Sequence, residues 1–129
     1  MQVKLDDVIE SLDFTSIDMN YYYNPKTEEI IMRADFLDDI DEDLLEECIP
    51  LPSQYDINEY DMMVDFADEI EDVKIHNQLY ISLNGSGAFR RFKDTCINFE
   101  IIDDWYKYRE KRLKEIAVEW CNENNIKYH

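Results

Sequence analysis

Apolar residues recur along this chain at spacings that switch between helical and extended. Leu5, Val8, Ile9 and Leu12 fall at i, i+3, i+4 and i+7, the spacing that lines one helix face, and predict a short amphipathic helix over residues 4–13 with its acids outward. Tyr21-Tyr22-Tyr23 and Ile30-Ile31-Met32 are β-favouring runs joined by the turn-rich Asn24-Pro25-Lys26-Thr27-Glu28, which reads as a hairpin. Two strands alone are marginal. A third is expected from Ile126-Lys127-Tyr128 or from Ile49 and Leu51, and Pro50 and Pro52 confine the latter pair to an edge. The acid-rich stretch Asp38 to Glu47 has the composition of a helix start, with Leu44 and Leu45 expected to turn inward.

Residues 58–72 carry the clearest helical pattern of the first half. Met63, Phe66, Ala67 and Ile70 form one stripe, and Asp61, Asp65, Asp68 and Asp72, at i, i+4, i+7 and i+11, form another on the opposite side. Residues 73–84 place Ile75, Leu79 and Leu83 four apart, again a helix. It stops at Gly85-Ser86-Gly87, which can serve both as its left-handed C-cap and as the start of a following helix, with Ser86 the expected capping side chain. That next helix brings Phe89, Phe92, Cys96 and Phe99 to a core face and completes an αα-hairpin. A long helix over 103–124 aligns Trp105, Leu113, Ile116, Ala117 and Trp120, while Lys107, Lys111 and Lys114 lie opposite. Arg109 sits inside the apolar arc and needs a partner: Trp105, an acid from the first half, or a bound anion. The elements predict one α+β domain over residues 1–129, dominated by helices, with a small antiparallel hairpin or three-stranded sheet near the N-terminus.

Composition narrows what such a domain can do. The chain has 129 residues, 45% of them apolar, enough for a core in one domain. Its 31 acids against 13 bases leave a net charge of −18, which argues against direct binding of nucleic acid or anionic lipid. The 13% aromatic content, with only 2 Gly and 3 Pro, fits an ordered chain despite that charge. No apolar run approaches a membrane span and the first ten residues are acidic where a secretory signal is basic, so a cytoplasmic protein is expected. Cys48, Cys96 and Cys121 are odd in number and widely spaced, which suits buried thiols better than a disulfide framework or a zinc site.

The charge is also segregated. Residues 1–72 hold 23 acids and 3 bases, whereas residues 73–129 hold 8 acids and 10 bases. Asp61, Asp65, Asp68 and Asp72 are therefore the candidate face for a basic protein partner, such as one that normally holds nucleic acid. Carboxylates four residues apart on a helix are about 6 Å apart along its axis, against one charge per roughly 1.7 Å in duplex DNA, so mimicry would need residues 35–47 beside them. The alternative is a small phosphate- or nucleotide-binding domain. Gly85 and Gly87 open a helix whose free N–H groups favour anions, and Arg90, Arg91, Lys93 and Arg109 could fork onto phosphate oxygens. Neither the strand of a dinucleotide fingerprint nor the Lys-Ser/Thr pair of a P-loop accompanies this loop. His76 and His129 are the only imidazoles, no nucleophile motif occurs, and no metal or cofactor is expected. The leading expectation is a non-enzymatic acidic adaptor or inhibitor.

The run Gly85-Ser86-Gly87-Ala88-Phe89-Arg90-Arg91-Phe92-Lys93-Asp94, followed by Trp105-Tyr106 and by Ile116-Ala117-Val118-Glu119-Trp120-Cys121, resembles bacterial uncharacterised protein family 0158. The resemblance spans the chain, including the first helix, the tyrosine-bearing hairpin and Leu51-Pro52. One departure is Glu28, where the resemblance implies Gly in the hairpin turn. It implies a small bacterial or phage cytosolic domain and no reaction.

Overall fold

In the computed structural model, residues 1–34 and 42–129 are described. The protein is α+β and predominantly helical, with a small antiparallel sheet. Its residues form two compact units, one of residues 1–57 with 113–129 and the other of residues 58–112.

The first unit begins with β1 (Gln2–Val3) and α1 (Leu5–Phe14), whose Val8 and Leu12 are buried as their spacing requires. The hairpin follows as β2 (Met19–Asn24) and β3 (Glu29–Ala34), in register from Met19 opposite Ala34 to Asn24 opposite Glu29. Its turn is held by Asn24, whose carbonyl accepts from the Glu28 amide at 2.8 Å and whose side chain accepts from the Lys26 amide at 2.9 Å. Glu28 adopts φ 60°, the left-handed backbone that favours Gly. Its carboxylate accepts from the Gln2 amide at 2.7 Å, a contact that glycine would not make.

The short helix α2 (Glu42–Glu46) precedes β4 (Ile49–Pro50), which pairs antiparallel with β2 to give the order β3-β2-β4. The third strand is thus the proline-bearing edge, and β5 (Lys127–Tyr128) instead pairs parallel with β1. Leu44 and Leu45 do not turn inward as expected, since Leu44 is 37% exposed and Leu45 half-buried. The five described residues of α2 include no buried one. Residues 35–41, which hold the Asp38–Asp41 part of that helix start and the first half of the 35–47 stretch that mimicry would need, lie outside the described residues.

One turn, α3 (Gln54–Ile57), is opened by Ser53 and Asp56 in a reciprocal cap: the Asp56 carboxylate accepts from the Ser53 amide at 2.9 Å and the Ser53 hydroxyl oxygen accepts from the Asp56 amide at 3.3 Å. The second half of the 22-residue helix α7 (Ile102–Glu123) contributes Leu113, Ala117, Trp120 and Cys121 to this unit's core. Tyr23 is fully buried there, with its ring edge-on to Trp120 at 6.2 Å. Its phenol donates to the Gln2 carbonyl at 2.7 Å, and burial, then nearby Glu28, pushes its pKa up, so it remains a donor.

The second unit contains α4 (Glu59–Glu69), α5 (Val73–Ser82), α6 (Ala88–Asn98) and the first half of α7. Its core is aromatic. Phe66 lies 6.1 Å from Phe92 and 5.5 Å from both Trp105 and Tyr108, mostly edge-on, the arrangement aromatic quadrupoles prefer. Met62, Met63, Leu79 and Cys96 fill around them, all without solvent exposure. Burial pushes the Cys96 thiol up to about 12, and all three cysteines are free and buried.

Two local expectations in this unit are corrected. Gly87, not Ser86, is the N-cap of α6, with φ 78° and no side-chain cap bond. Ser86 lies one residue before the cap, a residue early for the reach of a capping oxygen. Phe89 is 46% exposed and off the core face, and Ala88 is buried in its place. The α6–α7 turn closes through Glu100 at φ 60°, with the Ile101 amide donating to the Cys96 carbonyl at 2.8 Å, a Schellman closure.

Candidate functional site

The four aspartates predicted to share one helix face divide between two helices. Asp61, Asp65 and Asp68 are exposed on α4, which ends at Glu69. Asp72 lies beyond that end and caps α5, accepting from the Ile75 amide at 3.1 Å. The helical row therefore breaks where Ile70 leaves helical geometry at ψ 116°. Asp65 takes the Arg112 guanidinium at 2.8 Å, a hydrogen bond that pushes the Arg112 pKa up, with Tyr108 adding a second contact at 2.9 Å. Asp61 accepts from the Asn58 side-chain amide at 2.7 Å, and Asn58 in turn caps α4. Asp61, Asp68 and Asp72 make no ion pair among the described residues.

The basic loop is organised around Arg91. Its Nε donates to the Ser82 carbonyl at 3.2 Å, Nη1 to the Ser86 carbonyl at 2.5 Å, and Nη2 to the carbonyls of Asn84 and Gly85. Arg91 thus caps the C-terminal end of α5, where free carbonyls carry the negative end of the dipole. Gly85 and Gly87 both have left-handed φ, 76° and 78°. A Cβ on Gly87 would sit 3.2 Å from Arg91 Nη1, so this glycine provides both the turn and the room for the guanidinium. Arg90 is exposed and Lys93 half-buried. Arg109 pairs with Glu59 at 2.8 Å, both side chains largely buried, which gives the charge in the apolar arc its acid from the first half. His76 Nδ1 lies 2.9 Å from the Ala67 carbonyl, with its ring against Tyr80. Among the described residues no group of three or more His, Cys, Asp and Glu could hold a metal ion.

The sequence pattern missed a groove of about 630 Å³ in the first unit. Tyr21, Tyr22, Pro50, Pro52 and Trp120 wall it, and the Trp120 indole donates to the Pro50 carbonyl at 2.9 Å. Asp56, Glu119 and Glu123 also line it, and among the described residues no Lys, Arg or His does. A second recess of about 610 Å³ in the same unit is lined by Asp7, Glu10, Glu28 and Glu29 but also by Lys4 and His129. The only signals of the groove in the sequence were the Pro50 and Pro52 punctuation and the Glu119–Glu123 spacing. The pairing of β4 with β2 and the second half of α7 bring these together.

The fold and these surfaces describe a predominantly helical α+β protein with a short basic interhelical turn. The family model described as Uncharacterised protein family (UPF0158) matches residues 2–129, and the chain belongs to that family. It is 33% identical over 66 residues to the UPF0158 protein PA5073 of Pseudomonas aeruginosa, covering 50% of this chain and 43% of that protein. The matched region is less than half the length of that curated relative. No solved structure matches. No helix among the described residues is long and apolar enough to cross a membrane.

Proposed function

We propose that this protein is a non-enzymatic acidic binding module, an adaptor or inhibitor that presents carboxylates to a basic protein in the cytoplasm. The observation that carries the proposal is the state of the aspartates around α4: Asp61, Asp68 and Asp72 are exposed and make no ion pair among the described residues. The nearby arginines are committed within the fold, Arg109 to Glu59, Arg112 to Asp65 and Arg91 to carbonyl oxygens. The same commitments favour this function over a phosphate or nucleotide site at Gly85–Lys93, since the Arg91 fork is spent on its own turn. The net charge also draws a basic partner, chiefly by raising the encounter rate.

The test is affinity capture from a bacterial lysate at rising ionic strength, comparing the natural chain with D61N/D68N/D72N. Asparagine keeps the cap at position 72 while removing its charge. Captured basic proteins should be released by salt and lost with the triple variant. Partners that stay bound in concentrated salt, or that the variant retains, contradict the proposal.

A further inference from the structure

We infer that the groove between the β4 edge and the second half of α7 receives an extended basic segment of a partner protein, with an arginine or lysine stem along Tyr22, Pro50 and Pro52 and its charged head at Glu119 and Glu123. Three features converge on that occupant. The first is charge. Asp56, Glu119 and Glu123 line the groove with no cation among its described lining residues, whereas the neighbouring recess of this unit contains Lys4 and His129. Glu119 and Glu123 are exposed, four residues apart on α7, and make no ion pair among the described residues. Like charges at that spacing repel, and a cation seated between them removes the repulsion. The described residues of the unit around the groove hold 15 acids against 5 bases, a field that attracts a basic chain.

The second feature is the wall chemistry. Half-buried tyrosine rings and proline rings are rigid, lose little entropy on contact, and accept both the aliphatic stem and the positive head of arginine or lysine. The third is what the wall refuses. Pro50 has no N–H and its carbonyl is taken by Trp120, so a strand cannot add here through a backbone ladder. Recognition falls to side chains, the way aromatic-lined grooves read extended proline-containing segments. A volume of about 630 Å³ lies in the usual range for ligand sites. This inference does not rest on the α4 aspartates, which belong to the other unit.

Trp120 lines the groove, so its emission reports occupancy once Trp105 is changed to Phe. In that W105F background, a short proline-containing peptide bearing arginines should shift the emission saturably at low ionic strength. Its citrulline counterpart, which keeps shape and loses charge, should bind about tenfold more weakly, and E119Q/E123Q should weaken the arginine peptide by a similar factor, about tenfold. D61N/D68N/D72N should leave that affinity unchanged, so the groove and the α4 face are tested separately. No saturable shift overturns the inference. So does equal binding of the two peptides, or full affinity in a glutamine variant whose far-UV circular dichroism is native. Spermidine that saturates the site with the same glutamate dependence, while the peptide does not, replaces the peptide by a small polyamine and overturns it as well.

Discussion

The two tryptophans of α7 are both buried, yet their replacement by phenylalanine should cost different amounts. Trp105 has no solvent exposure, and its indole N–H has no hydrogen-bond partner among the described residues. Trp120 is 6% exposed, and its indole donates to the Pro50 carbonyl at 2.9 Å, tying the edge strand to the helix. Trp and Phe differ by roughly 40–50 Å² of apolar surface, about 1 kcal/mol at ~25 cal/mol per Å². At position 105 that loss is offset by removing a buried unsatisfied donor, whose penalty is about 1–3 kcal/mol, so W105F should lie within about 1 kcal/mol of the natural protein. At position 120 the same loss adds to a broken hydrogen bond worth about 1 kcal/mol, for a total of about 2 kcal/mol. Urea unfolding followed by far-UV circular dichroism measures the contrast. With a slope of about 2 kcal/mol per molar, W120F should lower the midpoint by about 1 M and W105F by less than half of that. A W105F midpoint that falls as far as that of W120F would refute the idea that the Trp105 nitrogen is an unpaid burial.

Three further outcomes follow from the local geometry. Arg91→Ala withdraws the guanidinium donors from the carbonyls of Ser82, Gly85 and Ser86 and should cost about 1–2 kcal/mol, a drop of about 3–8 °C in Tm. Arg91→Lys should recover less than half of it, because an ammonium cannot fork across several oxygens. Glu100→Gly relieves the left-handed φ of 60° in the α6–α7 turn and should stabilise by about 0.5–1 kcal/mol, read as a raised Tm. Cys96 carries a pKa raised by burial from an ordinary 9.0 to about 12, so above pH 9 the unfolded chain gives up a proton that the native protein keeps. Stability should therefore fall from pH 9 towards pH 12. Cys96→Ser should reduce that alkaline loss in pH-dependent urea melts, and an unchanged slope would contradict the assignment.

Much of the secondary structure was legible in the residue order. The spacing of Val8 and Leu12, of Met63 and Ala67, and of Phe92 and Cys96 lies within single helices, where geometry repeats every few residues and one face must be buried. The hairpin was legible for the same reason, as two β-favouring runs beside a turn-rich connection. Failures fell at element ends. Ser86 and Phe89 were misplaced because the start of α6 is set by a left-handed glycine and by Arg91 folding back over the turn, neither of which is periodic. The aspartate row broke at Ile70 because a capping side chain, Asp72, starts a new helix there.

The sequence by itself determined the helical class of this protein, that a strand through Pro50 could lie only at an edge, and its membership of an uncharacterised family, since these depend on local periodicity and on the residues themselves. Only the tertiary structure decided which charges are spent. Nothing in the order of residues pairs Arg109 with Glu59 or Arg112 with Asp65, because those partners lie 50 and 47 positions apart. Long-range packing likewise sets Glu119 and Glu123 beside Tyr22 and Pro50. Whether a carboxylate is neutralised, capping or open to a partner depends on what stands within a few ångströms of it, and that distance is a property of the folded chain.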